Sequence, residues 1–435
     1  MINKKALLLG SAAALLVTGV QAADMPKAPA REPVYRCDIT GFIELPGTDI
    51  CFKIGGFARF LAGTATDNVT GLGPNSAYGW SDIGGNTIHT TDDTFVMHAT
   101  ARLNFDARTS TEYGIVRAFI EMQAEDNNAS TGGPFELRHA FIQFGNWTFG
   151  KTDTLVAHGS SAPAYTDFIA HIGDPYGRSV QVRYTMPLGN GMTLAVALED
   201  PAFGQAGEYT TNWAAAITAA GSPTVGGSAF VGERDEMPAI LAALSFDGSW
   251  GSAQIAGGIR QNVYTAGGIA DRDIGWRVDA GANINLTSAI TLLARAYYAD
   301  GFNAHSSIAL GDVIKSALPG NFILDNVEEW MVMAGLSFAI MPDVTASISA
   351  AYAETEPGST VGSQYFFTIT PQHASVDVFQ VVGNVFWTPV NNFELGVEVA
   401  YTDVGYNTAG PILGQIPAPV DTDAFSVAFQ ATRSF

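Results

Sequence analysis

The chain has 435 residues, of which 47% are hydrophobic and 14% are charged, and its formal net charge is −21 at pH 7. Charge this sparse is unusual for a soluble secreted protein, and the acidic balance argues against a nucleic-acid-binding protein, which needs a basic surface. The length suits either two or three soluble domains or one large β-barrel.

Residues 1–22 have the pattern of a secretory signal peptide. Two lysines precede the apolar run Ala6 to Val20, and small residues suited to cleavage follow it. The alternative is a membrane anchor, but the run is shorter than the roughly 20 residues that a spanning helix needs. We therefore expect a mature chain that begins near Ala23 and is exported to the cell envelope.

Residues 23–50 form an N-terminal segment. Along residues 51–435, short stretches recur in which apolar and polar residues alternate. In the stretch 95–107, for example, apolar residues occupy every odd position and mostly polar ones the even positions. A strand with one apolar and one polar face fits lipid on the outside and a water-filled lumen on the inside. Sixteen such stretches lie at 51–61, 94–108, 114–125, 137–145, 147–152, 179–187, 191–199, 237–247, 251–263, 274–287, 289–299, 328–340, 344–354, 377–389, 393–403 and 423–435. The stretch 147–152 is the weakest of them.

The connections between these stretches alternate strictly between long and short. The long ones are 62–93, 126–136, 153–178, 200–236, 264–273, 300–327, 355–376 and 404–422, and the short ones contain turn residues such as Gly189-Asn190-Gly191. A soluble sandwich or propeller has no physical reason to segregate loop length in this way. The pattern predicts a closed, 16-stranded antiparallel transmembrane β-barrel with short periplasmic turns and long extracellular loops. Sixteen strands are enough to enclose an aqueous lumen.

The alternation continues to the terminal aromatic residue, Phe435. We interpret the stretch 423–435 as a membrane strand whose end is the signature through which the barrel-assembly machinery recognises the protein.

Two segments resemble the general porins of alphaproteobacteria. Residues 141–154 resemble the strand–turn–strand that leads into the porin constriction loop, and residues 34–60 match in their two cysteines and in the turn at Pro46-Gly47-Thr48. The resemblance implies a homotrimeric outer-membrane channel for passive diffusion of small hydrophilic solutes, with the third loop (153–178) folded into the barrel.

Charged residues on this loop and on the early strands are the candidate site. Asp153, Asp167 and Asp174 would present negative charge at a constriction, although they could equally belong to an ordinary exposed acidic loop. Basic residues fall on the inner parity of the early strands, where Glu121 accompanies them: Arg59, Arg102, Arg117 and Arg183. Loop acids opposite wall arginines would set up a transverse field that tunes ion selectivity.

Two further assignments follow from parity alone. Arg138 falls on the outward parity near a strand end, so we expect it at the rim and outside this cluster. His98 is expected to line the pore. The overall surplus of acids suggests a mild cation preference, which the local charges of the constriction could override.

Cys37 and Cys51 are the two cysteines of the chain. Because the periplasm is oxidising, we predict a disulfide that ties the N-terminal segment to the first strand. The alternative, a two-cysteine metal site, lacks further ligands nearby.

Other functions find less support in the sequence. The histidines show no H-E-x-x-H spacing, and no G-x-S-x-G motif stands between a strand and a helix, so we expect no catalytic residues, metal or cofactor. A sugar-selective channel would need an aromatic track, to which Tyr165, Phe168 and Tyr176 could contribute. An adhesin that uses the long loops, or an outer-membrane enzyme, remains open. The expected partners are other copies of the chain, lipid and lipopolysaccharide, and small solutes, but not nucleic acid.

Overall fold

The computed structural model describes residues 37, 39–66, 94–126, 135–156, 164–166, 171–174, 177–200, 232–233, 236–266, 269–302, 313–318, 321–357, 374–408 and 421–435. The signal peptide predicted for 1–22 therefore lies outside the described residues, as does Asp167. Across the described ranges, no helix has the length and apolar character required to cross a membrane.

Sixteen antiparallel strands form the barrel, as predicted. They are β1 Cys51–Ala65, β2 Thr94–Thr111, β3 Gly114–Asp126, β4 Phe135–Phe144, β5 Trp147–Asp153, β6 Arg178–Gly189, β7 Met192–Glu199, β8 Ala239–Gly248, β9 Gly251–Ala266, β10 Ile269–Asn285, β11 Ile290–Asp300, β12 Asn321–Met341, β13 Val344–Pro357, β14 Ala374–Val390, β15 Phe393–Thr408 and β16 Asp421–Ser434.

The sheet closes on itself because β16 pairs with β1. The register runs from Ser426 opposite Ala65 to Ser434 opposite Phe57. Phe435 extends this seam, since its backbone N–H donates to the carbonyl of Gly56 at 3.0 Å and its carbonyl accepts from the Gly56 N–H at 3.3 Å. No strand edge then remains open along the seam, which satisfies the backbone groups that would be costly in lipid.

Outward-facing apolar side chains and tight turns explain why these segments form the barrel. Aromatic pairs stand on the outer face, among them Trp276 with Tyr298 at 5.2 Å and Trp330 with Tyr352 at 5.3 Å between ring centroids, as expected for an interfacial girdle. Asn190 adopts a φ of 52°, a left-handed conformation suited to a short turn between antiparallel strands.

The N-terminal segment forms a hairpin against the start of β1. Ile43–Glu44 pairs with Cys51 and Phe52, on the stretch of β1 that extends beyond the end of β16. The predicted disulfide is present, with the Cα atoms of Cys37 and Cys51 5.5 Å apart. The hairpin therefore covers the edge of β1 that β16 leaves unpaired.

The loop predicted at 264–273 is much shorter in the structure, so its predicted length was wrong. Strands β9 and β10 continue their pairing to Ala266 opposite Ile269, because backbone hydrogen bonds can extend a hairpin beyond the membrane where side-chain alternation has ended. Similarly, Val313–Leu318 pairs with the first residues of β12 inside the predicted loop 300–327.

Candidate functional site: the lumen and its third loop

Strand register places the predicted basic residues and Glu121 on the inner faces of the early strands. Arg102 on β2 lies between Phe57 on β1 and Gln123 on β3. The next residue, Leu103, points outward and is 42% exposed. The same register carries Arg59, Arg117 and Arg183 to the lumen side.

Arg59 and Arg102 meet at one aromatic ring. Their guanidinium carbons lie 4.5 and 4.6 Å from the ring centroid of Phe57, within the range of cation–π attraction. Arg59 also donates to the hydroxyl of Thr432 on β16 at 3.2 Å, and Arg102 donates to the side-chain carbonyl of Gln123 at 2.7 Å. These two arginines therefore form one basic patch across β1 and β2.

The other two predicted arginines lie apart from this patch, nearer the periplasmic turns. Arg117 donates to both carboxylate oxygens of Asp106 at 3.0 and 2.9 Å, and Arg108 binds the same carboxylate. Arg183 donates to the side chain of Gln181 at 2.8 Å and to the backbone carbonyl of Asp153. The structure thus brings together two of the four predicted arginines.

Arg138 does not lie at the rim on the outward side, so the sequence-based placement was wrong. A β-bulge in β4 pairs Glu121 with His139 and Met122 with Leu137, which leaves Arg138 as the extra residue. A bulge of this kind lets two successive side chains face the same way. Arg138 is consequently buried, at 7% exposure, and its guanidinium lies 3.2 Å from the Glu121 carboxylate.

The described parts of the third loop cross the lumen to the wall formed by β11–β15. At its tip, the backbone N–H and the hydroxyl of Thr166 donate to the Glu398 carboxylate at 3.2 and 2.7 Å. Asn384 donates to the carbonyl of Ala164 at 2.6 Å and to Glu398 at 3.0 Å. The side chain of His171 lies 3.4 Å from Glu398. A buried carboxylate on β15 is therefore the main polar anchor of the loop tip.

Asp174 anchors the returning half of the loop. Its carboxylate lies 3.2 Å from Arg295 on β11, which also contacts Asp279 at 3.0 Å and donates to the carbonyl of Val156 at 3.1 Å. Burial raises the pKa of the Asp174 carboxyl, although the Arg295 guanidinium acts to lower it. Asp174 therefore faces a buried ion pair, whereas Asp153, at the start of the loop, has a side chain 43% exposed.

Apolar packing also holds the loop against the same side of the barrel. The sequence did not predict this packing. Ile172 packs with inward residues of β11–β16, including Met331 and Ala351. Leu155 and Val156 pack with inward alanines and a leucine of β7–β9. At Gly173 an added Cβ would come within 2.5 Å of the Met333 side chain, so only glycine fits this approach. The described loop residues consequently cover inward side chains along β7–β15.

The described aromatic and titratable residues that were considered for other functions are packed against neighbouring residues or buried. Tyr165 stacks on His171 with ring centroids 4.5 Å apart, while Phe168 and Tyr176 lie outside the described residues. His98 faces inward on β2 and is 9% exposed. Among the residues that the structure covers, no group of three or more His, Cys, Asp or Glu side chains could hold a metal ion.

Comparisons with known proteins agree with this architecture. The family described as "Porin subfamily" matches residues 25–426. Porin Omp2a of Brucella suis is 27% identical over 85% of this chain and 92% of its own length, and porin Omp2b of Brucella melitensis is 26% identical with the same coverage.

Solved structures show the same fold. The outer membrane channel DcaP of Acinetobacter baumannii superposes with a TM-score of 0.64, at 22% identity, over 89% of this chain and 97% of that one. An anion-selective porin from Comamonas acidovorans superposes with a TM-score of 0.52, at 11% identity, over 89% of this chain and 100% of that one.

Proposed function

This chain belongs to the porin family and is an outer-membrane channel, and on that premise we propose that its solutes pass between the third loop and the polar wall of β1–β6. Small hydrophilic solutes and ions diffuse through such a barrel passively, without a cofactor. The members of this family are channels, so the features of the sequence can be explained without assuming an enzymatic activity.

A contrast in exposure between the two sides of the lumen carries this proposal. Several charged side chains on the β1–β6 side remain partly exposed, at 20% for Arg102, 33% for Glu136 and 43% for Asp153, although Arg138 beside them is buried. On the opposite side, Arg295 and Glu398 have no exposed side-chain surface because the third loop covers them. Water and solutes therefore have access to the first wall and little access to the second.

The predicted site residues take different roles in this proposal. Arg59 and Arg102 present the basic patch to the passage, with Glu121 and Asp153 as acidic neighbours. Arg117 and Arg183 lie beyond it, toward the periplasm, and Asp174 holds the loop in place. Asp167 lies outside the described residues, and its contribution to the constriction stays a prediction.

We further propose that the channel is a homotrimer, as its resemblance to general porins implies. Phe435 is 63% exposed although its backbone closes the barrel, so its ring is accessible to the barrel-assembly machinery. Exposed carboxylates near the extracellular strand ends, such as Glu328 and Asp423, are positioned for contact with lipopolysaccharide. A sugar-selective channel is less well supported, because Tyr165 packs against His171.

Reconstitution in a planar bilayer tests the proposal. Under a salt gradient, the purified protein should open in steps of three and give a reversal potential with modest selectivity. A correctly folded, heat-modifiable barrel that carries no current would overturn the channel and favour an adhesin or an enzyme. Saturable block of the current by a sugar would instead favour the sugar-selective alternative.

A further inference from the structure

We propose that an unbroken ladder of ion pairs crosses the polar wall of the lumen and that Arg138, at its centre, determines the ion selectivity of the pore. This inference rests on the proposed function, since it assumes that ions pass along the wall of β1–β6. Strand alternation alone would place Arg138 on the lipid-facing side of β4, yet the proposal assigns it the control of ion selectivity.

The ladder alternates in sign from β2 to both ends of the third loop. Its closest nitrogen–oxygen distances are 3.8 Å for Arg102–Glu121, 3.2 Å for Glu121–Arg138, 3.4 Å for Arg138–Glu136, 3.6 Å for Glu136–Arg178 and 3.4 Å for Arg178–Asp153. Asp153 begins the third loop and Arg178 follows it. The ladder therefore connects the basic patch to the segment that narrows the lumen.

Three guanidinium groups face three carboxylates within the ladder, so the ladder itself has no net charge. Arg138 is the guanidinium that lies between Glu121 and Glu136. Its own side chain is 8% exposed, whereas that of Glu136 is 33% exposed. Without Arg138, the ladder would carry one net negative charge, and the exposed carboxylate of Glu136 would attract cations more strongly.

The bulge in β4 is what makes this arrangement possible. In a regular strand, Arg138 would alternate with His139 and point toward lipid, where a charged side chain is destabilising. The extra residue brings Arg138 to the inner side without displacing the outward-facing Leu137, which is 42% exposed. The bulge thus adds a charge to the lumen at a level where His139 already occupies the regular inward position.

Selectivity measurements test the role of Arg138 directly. Arg138→Gln should raise the cation-to-anion permeability ratio about four- to sixteenfold, because one charge roughly 5 Å from the ion path in water changes the occupancy of cations and of anions by about two- to fourfold each, in opposite directions. Arg138→Lys, which keeps the charge, should stay close to the parent channel. An unchanged reversal potential in Arg138→Gln channels, or equal shifts in both variants, would overturn the proposal.

Thiol labelling tests the position of Arg138 independently. Both native cysteines are joined to each other, so Arg138→Cys introduces a unique thiol, and Leu137→Cys is the matched control on the outer face. A cationic, membrane-impermeant methanethiosulfonate should change the single-channel current of Arg138→Cys and leave Leu137→Cys unaltered. Equal reactivity, or an inert Arg138→Cys, would overturn the inward placement even if Arg138→Gln fails to fold.

The two proposals fail in different ways. Absence of current from the folded parent protein would refute the channel itself. Conducting variants with the parent's selectivity would refute only the role of Arg138.

Discussion

Removing the carboxylate of Glu398 should release the tip of the third loop. In the native barrel this side chain is fully buried and accepts hydrogen bonds from the Thr166 N–H, the Thr166 hydroxyl and the Asn384 amide. A buried donor that loses its partner costs about 1–3 kcal/mol. For Glu398→Ala, three such groups at the lower bound amount to about 3 kcal/mol, which increases the population of the undocked tip roughly a hundredfold.

The expected result is a wider and less steady pore. Glu398→Ala channels should show a larger mean conductance, more current noise and a larger exclusion limit in liposome swelling with sugars of graded size. Glu394→Ala is the matched control, since Glu394 lies on the same inner face of β15 but opposite Thr432 at the seam. If folded Glu398→Ala channels have the conductance, noise and exclusion limit of the Glu394→Ala channels, Glu398 is not the anchor of the loop.

Three further substitutions test other parts of the structure. Arg102→Ala should move the reversal potential toward cation selectivity, and an unchanged potential would remove Arg102 from the constriction. Arg295→Ala should destabilise the folded protein by about 3–5 kcal/mol, because it leaves Asp174 buried without its cation. Heat denaturation monitored by gel mobility measures this loss of stability, and a denaturation midpoint equal to that of the parent protein would contradict the prediction. Gly56→Ala should reduce the yield of heat-modifiable barrel, because the added Cβ would lie 2.1 Å from a backbone oxygen of β2. Gly383→Ala is its control, since no atom lies closer than 3.9 Å there, and equal yields of the two variants would refute the expected steric conflict.

The strands could be predicted from the sequence because lipid imposes a strict rule on one face of each strand. This rule requires that residues alternate between the lipid and the lumen without interruption. It failed at Arg138, because the bulge exchanges the inward and outward positions of the residues that follow. The shift is visible in β4, since the outward apolar residues change from Phe135 and Leu137 to Ala140 and Ile142. An arginine between these two sets could therefore have been assigned to the lumen.

The inner wall could not be predicted in the same way, because a residue that faces the lumen meets either water or another part of the chain. Met331 and Met333 occupy inward positions on β12, where polar residues were expected, and the third loop covers them. Likewise, nothing in the sequence distinguishes the buried Asp174 from the partly exposed Asp153. Both roles depend on where the loop lies, which is a tertiary property.

The seam between β16 and β1 also has a consequence for folding kinetics. It joins residues such as Phe57 and Ser434 that are far apart along the chain, so its contacts form only after a large loop-closure entropy has been overcome. Until then, β1 and β16 each present an unpaired edge that can add strands from another chain. The hairpin at Ile43–Glu44 pairs only with the start of β1, which leaves most of that edge open. The interval before closure is therefore the period in which this chain is most prone to aggregation and most dependent on chaperones.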